Sequence, residues 1–174
     1  MGKKVFDLQI LQADLEETKS YSKRLHLGNG KYIIFTSKVE LRRYGAETRR
    51  YFWHVVTELN EMYCQVFALY REAWLVNARC RRTGRYSSLL EQVAGSLAVA
   101  VSWMEKLAGR LAQTNEPSYI CLNAGNAVTH FKDALVPVEA LLRDQQIISR
   151  ANTALVYIGQ LDQLALRIRN YGTL

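Results

Sequence analysis

The residues best suited to chemistry in this chain are arginines. Arg79-Cys80-Arg81-Arg82-Thr83-Gly84-Arg85-Tyr86-Ser87-Ser88 places four of them within seven positions, next to a glycine and a run of hydroxyls. Guanidinium forks grip phosphate oxygens two at a time, and the free amides of a starting helix favour anions. The plainer reading is that cations complement the negative end of a helix that finishes here. That accounts for one or two of the four. Arg79, Arg81, Arg82 and Arg85 are therefore candidate phosphate ligands.

Two further clusters lie upstream. Arg42-Arg43-Tyr44 and Arg49-Arg50-Tyr51 are seven residues apart. On a continuous helix this puts Arg42, Arg43, Arg49 and Arg50 on one face, two turns and roughly 10 Å apart, a ladder able to follow a nucleic-acid backbone. Gly45 threatens that continuity, and Glu40 and Glu47 are at hand to neutralise some of the charge. Lys23, Arg24, His26 and Lys31 flank Gly28-Asn29-Gly30, whose Asn-Gly step suits the tight turn of a hairpin. A basic hairpin could enter a groove or brace a strand.

Aromatic residues accompany these cations. Tyr21, Tyr32, Tyr44, Tyr51 and Tyr86 sit beside basic residues and are candidate base-stacking groups, although tyrosines in such places are more often boundary residues. Phe52, Tyr63, Phe67, Tyr70 and Trp74 follow helical periodicity and are expected in the core, as is Cys64. Catalytic patterns find little support. His26, His54 and His130 stand apart, with no H-x-x-x-H or H-E-x-x-H spacing. His130 and Asp133 alone do not make a metal site. Gly28-Asn29-Gly30-Lys31 lacks the spacing of a phosphate-binding loop. Cys80, between two arginines, has no evident base. Asp14, Glu16 and Glu17 suit a solvated helix face. No enzyme activity, metal or cofactor is expected.

The charge distribution matches these clusters. Residues 19–85 hold 14 basic and 5 acidic side chains, a net of +9, whereas residues 86–174 hold 7 of each. With residues 1–18 at −2, the whole chain of 174 residues carries +7. A basic, aromatic-rich segment points to a polyanion, most often nucleic acid, although basic faces also bind anionic lipid. Three cysteines without a C-x-x-C pair argue against a disulfide framework or a zinc site and fit a reducing cytosol. The start does not read as a signal peptide, because Asp7 and Asp14 fall where an apolar run would be. The uncharged helical run from Gln92 to Met104 is shorter than the ~20 residues a bilayer requires. A soluble cytoplasmic protein is expected, with no membrane partner.

The elements that must carry these residues read as helices. Residues 1–36 form an N-terminal segment, ambiguous between strand and helix at Phe6 to Leu15 and followed by the possible hairpin. Residues 37–174 read as a bundle, and the whole as one compact domain. Ser37-Lys38-Val39-Glu40 fits a capping box. A long amphipathic helix follows, strongest from Thr48, ending at Thr83-Gly84 near Arg82. Ser88-Leu89-Leu90-Glu91 fits a second capping box, opening a helix with Leu90, Val93, Leu97, Val101, Met104, Leu107 and Leu111 on its apolar stripe. Ala94, Gly95, Ala98 and Ala100 would let a neighbour pack closely. The short connection makes these two helices antiparallel neighbours. Thr114 or Asn115 is expected to cap a third helix with Pro117 in its first turn. Pro137 is expected to break or kink it. The last helix would carry Leu141, Ile148, Ala151, Leu155, Ile158, Leu161, Ala165 and Ile168. The fold class is therefore mainly α: an antiparallel bundle of about four helices behind a short basic segment.

With no helix-turn-helix spacing, zinc finger or RNP motif in view, contacts to phosphate rather than to base edges are expected. Over residues 37–170, the length, helical pattern and basic face resemble the small helical subunit of CRISPR effector (Cascade-type) complexes. The resemblance implies a non-catalytic subunit, present in several copies beside other protein subunits. It would hold the guide RNA–DNA duplex or displaced single-stranded DNA without reading sequence. No motif carries individual residues across. Two other settings fit the same profile: a viral or phage coat protein that packages nucleic acid, and a helical adaptor of a reverse-transcriptase or mobilisation complex.

Overall fold

A computed structural model describes residues 21–28, 30–79, 84–114 and 116–171, with the side chains of residues 28, 84 and 85 excepted. The ambiguous segment around Phe6 to Leu15, the acidic group at 14–17, Cys80, Arg81, Arg82 and the Arg85 side chain lie outside the described residues.

The hairpin is present. Strand β1 (Lys23–Gly28) pairs antiparallel with β2 (Lys31–Phe35), with Arg24 opposite Ile34 and His26 opposite Tyr32. Gly30 has φ of +75°, a left-handed conformation that glycine adopts without a Cβ penalty. Alternation then sorts the side chains. Leu25, Leu27, Ile33 and Phe35 are buried with Tyr44, and Leu41 packs against them. Arg24, His26 and Tyr32 face outward. This second, small apolar cluster seats the hairpin on the first turns of the helix that follows.

That helix, α1, runs unbroken over 42 residues, Lys38–Arg79, a length of about 63 Å. The Glu40 amide donates to Ser37 Oγ at 3.4 Å, as the capping box requires. Gly45 is buried within the helix and does not interrupt it. Helices α2 (Gly84–Gln113), α3 (Pro117–Asp144) and α4 (Ile148–Tyr171) complete the bundle. Helix α3 is the hub, packing against each of the other helices and against β1. Phe131, Leu135, Leu141 and Leu142 are fully buried on it, opposite Phe52 and Leu59 of α1 and Leu107 and Leu111 of α2 in the main core.

Several local expectations are corrected. Helix α2 begins at Gly84, so Ser88 and Glu91 lie inside it rather than at its start. Ala94, Gly95 and Ala98 face solvent, and only Ala100 of that small-residue face is buried. The N-cap of α3 is Glu116, with no side-chain capping bond, while Thr114 Oγ1 accepts from the Glu116 amide at 3.1 Å. Pro137 neither ends nor splits α3, which continues to Asp144 and takes Leu141 with it. The chain turns instead at Gln146, a non-glycine residue with φ of +62°. There the Gln145, Gln146 and Ile147 amides donate to the carbonyls of Leu141, Arg143 and Leu142 at 2.9–3.0 Å. A left-handed residue closing a helix end in this way is usually glycine or asparagine, so a glutamine gives no signal. Ile148 and Leu155, expected on the buried face of the last helix, are exposed; Ala154 and Leu164 are buried instead. Among the described residues, no helix is long and apolar enough to cross a membrane.

Candidate nucleic-acid interface

The two ends of the bundle can be told apart by their contacts. Thr48 Oγ1 and the Tyr171 hydroxyl lie 2.6 Å apart, and the Cys121 thiol donates to the Ile168 carbonyl at 3.7 Å. These bonds bring the start of α1, the start of α3 and the end of α4 together beside the hairpin. At the far end, the Tyr86 hydroxyl donates to the Asp144 carboxylate and receives Gln145 Nε2 at 3.3 Å. Arg79 is exposed in the last turn of α1 at that far end.

The basic clusters are thus divided. Arg42, Arg43, Arg49 and Arg50 are all exposed on the uninterrupted first turns of α1, and the two pairs share a face as their spacing requires. Lys23, Arg24 and Lys31 are exposed on the adjoining hairpin, with the Arg24 guanidinium carbon 4.4 Å from the centre of the Tyr32 ring. Arg79 stands about 44 Å further along the helix from Arg50. A corner at Arg79 and a ladder at Arg42 to Arg50 therefore cannot act on the same short stretch of backbone.

The glutamates further along α1 are engaged by α4. Glu58 accepts two hydrogen bonds from the Arg167 guanidinium, at 3.2 and 2.8 Å, and Glu72 accepts from Arg150 Nε at 2.7 Å. Both pairs bridge α1 to α4. Glu61 lines the groove between the same helices, a space of about 600 Å³ shared with Gln65, Gln160 and Gln163. Glu58, Glu61 and Glu72 thus follow the α4 seam. Arg42, Arg43 and Arg50 form no ion pair among the described residues.

Most of the tyrosines proposed to stack have structural roles. Tyr44 is 3 % exposed and packs on Phe35 at 5.3 Å; burial holds its hydroxyl well above the usual phenolic range. Tyr51 stacks on Tyr171 at 4.8 Å, and burial raises its pKa also. Tyr86 is buried and bonded to Asp144. Tyr21 lies 5.5 Å from the Lys38 ammonium, and Tyr32 remains openly exposed.

The reverse correction applies to the apolar stripe of α1. Phe67 and Trp74, expected in the core, are 42 % and 51 % exposed, and Cys64 is exposed too. Trp53, which the stripe did not include, is 47 % exposed. Each step turns the helix by about 100°, and α1 at this point buries Val66 while leaving Phe67 on the outer side. A second feature comes from the half of the chain with no net charge. Lys106 Nζ lies 4.2 Å from the Trp103 ring centre and the Arg110 guanidinium 5.1 Å from that of Tyr119. They line an α2–α3 groove of about 650 Å³ that has no carboxylate in its wall. Its cations are spread among neutral residues, so no local charge run announces it.

His130 Nδ1 lies 3.7 Å from Asp133, and among the described residues no group of three or more His, Cys, Asp or Glu could hold a metal ion. Cys121 is pushed up to about 12 by burial, which keeps it a thiol. Compared with known proteins, the chain matches no family model, no curated protein and no solved structure.

Proposed function

We propose that this protein is a non-catalytic, sequence-independent nucleic-acid-binding subunit that holds a phosphate backbone on the hairpin end of its bundle. The observation that carries the reading is the arginine ladder Arg42, Arg43, Arg49 and Arg50, all exposed on one continuous helix. Lys23, Arg24 and Lys31 extend the positive field onto the hairpin. A rigid helix fixes where these arginines are rooted, so contact orders no loop and the conformational cost is confined to side-chain rotamers. The Arg79, Arg81, Arg82 and Arg85 corner would be a separate backbone contact at the other end.

The favoured setting is a larger cytoplasmic nucleoprotein complex, with the small subunit of a CRISPR effector as its leading example and several copies lining guide–target duplex or displaced strand. A nucleic-acid-packaging coat is the second reading, and an adaptor in a reverse-transcriptase or mobilisation complex the third. The test replaces Arg42, Arg43, Arg49 and Arg50 together by glutamine and titrates DNA and RNA at several salt concentrations. If all four contact duplex phosphate, the slope of log affinity against log salt flattens by about 3 to 4 units. An unchanged affinity and slope reject the ladder. Light scattering of the isolated protein separates the settings: a coat assembles into large particles alone, and a complex subunit stays small.

A further inference from the structure

The outer face of α1 carries a row of aromatics that stand about half exposed. Trp53, Phe67 and Trp74 fall on a seven-residue repeat, with Asn60 at the intervening position. Such a repeat drifts only about 20° per step, so the row stays on one face over about 32 Å. Three large exposed aromatics in line on one helix are unusual enough to require a reason. Their surroundings are organised. Phe67 lies 5.9 Å from Tyr63 and 6.1 Å from Tyr70, and Tyr63 is backed by Phe131 of the core at 6.4 Å. Arg49 precedes the row, Arg71 stands within it and Arg79 follows it, all exposed.

We infer that this row is a stacking platform for unpaired bases, which makes single-stranded nucleic acid the substrate class of the surface. The inference rests on the backbone-holding reading above and adds residues to it. Every base has a flat π-face, so aromatics beside cations grip a single strand without reading sequence. A duplex keeps those faces inside its own stack. The charge of the face argues against the other occupants. A second copy of the chain docked by the same face would set arginine against arginine in either direction. An anionic membrane requires a continuous apolar face, and here Asn60 and Arg71 interrupt the row.

The experiment changes Trp53, Phe67 and Trp74 to alanine, singly and together. Fluorescent oligothymidylate and a duplex of equal length are titrated at several salt concentrations, with circular dichroism as the check on folding. Each alanine is expected to weaken single-strand binding roughly five- to hundredfold, with duplex affinity and the salt slope unchanged. Oligothymidylate should also quench tryptophan emission in the parent, and less so in the Trp53→Ala, Trp74→Ala double variant. If the arginine-ladder variant loses binding and the aromatic variant does not, the platform is wrong and the backbone reading stands. If the parent binds neither nucleic acid, both fall. Loss of self-association in the aromatic variant, measured by sedimentation, or loss of binding to phosphatidylserine vesicles, with oligothymidylate affinity intact, would overturn the platform in favour of a second copy or a lipid surface.

Discussion

The two sides of helix α1 obey different rules. On its inner side Phe52, Leu59, Val66 and Leu69 are fully buried, and each is held by the main core. On its outer side Trp53 and Phe67, immediate neighbours of Phe52 and Val66, are about half exposed, with exposed Arg50 one turn before Trp53 and exposed Arg71 one turn after Phe67. A third strip, along the α4 seam, collects Glu58 and Glu72 with their partners Arg167 and Arg150. One helix thus separates packing, cross-linking and exposed positive charge by rotation and by position along its axis. The lesson is that apolar content does not define a core face: Phe52 and Trp53 are neighbours in sequence, yet one is fully buried and the other half-exposed.

The sharpest test of this contrast uses adjacent residues. Phe52→Ala removes a fully buried ring and is expected to cost about 3–5 kcal/mol of unfolding free energy. Trp53→Ala, one position on, should change it by no more than about 0.5 kcal/mol. Urea denaturation of both variants decides the matter; comparable losses would mean that the outer face is also packed.

Alkaline pH should loosen the inner side selectively. Burial raises Cys121 from 9.0 to about 12, so the folded protein holds a proton that the unfolded chain releases. The stabilisation is complete below pH 9 and is lost progressively as the pH rises toward 12. Tyr44, Tyr51 and Tyr171 are shifted upward from 10.0 by the same burial and add to the decline at higher pH. Urea midpoints should therefore fall between pH 8 and pH 10.5. Cys121→Ala should flatten the early part of that fall and leave the later part in place.

The smallest effect belongs to the seam. Arg167→Ala breaks a two-bond contact to Glu58, but both groups are near half exposed, so a loss of about 0–1 kcal/mol is expected. Oligonucleotide affinity should not fall, because this α4 arginine is already engaged by Glu58 of α1. A fall as large as that of the ladder variant would show that seam and ladder are one surface.

Much of the architecture was legible because helices and turns announce themselves locally. The capping residues Ser37 and Glu40, the Asn-Gly turn and the three- and four-residue apolar steps anticipated the hairpin and the four helices. Local signals misled where tertiary packing outweighed them. Pro137 stays within α3, whose buried residues continue on both sides of it, at Leu135 and Val138. Gln146 makes a left-handed turn that its side chain does not advertise. Tyr44, Tyr51 and Tyr86 have the same sequence neighbourhood as an exposed stacking residue, and only the approach of Phe35, Tyr171 and Asp144 takes them out of solvent.

The sequence by itself determined that the chain is a helical bundle with a basic hairpin, and that its excess positive charge lies in residues 19–85. Hydrophobic period, turn residues and charge are properties of neighbouring positions, so no fold is needed to read them. The tertiary structure decided how that charge is used. It separated the Arg42 to Arg50 ladder from Arg79 by most of the length of α1. It bonded Glu58 and Glu72 to α4 and turned Trp53, Phe67 and Trp74 outward. Those outcomes depend on which face of a 42-residue helix the other three helices cover, and that choice is made by long-range packing.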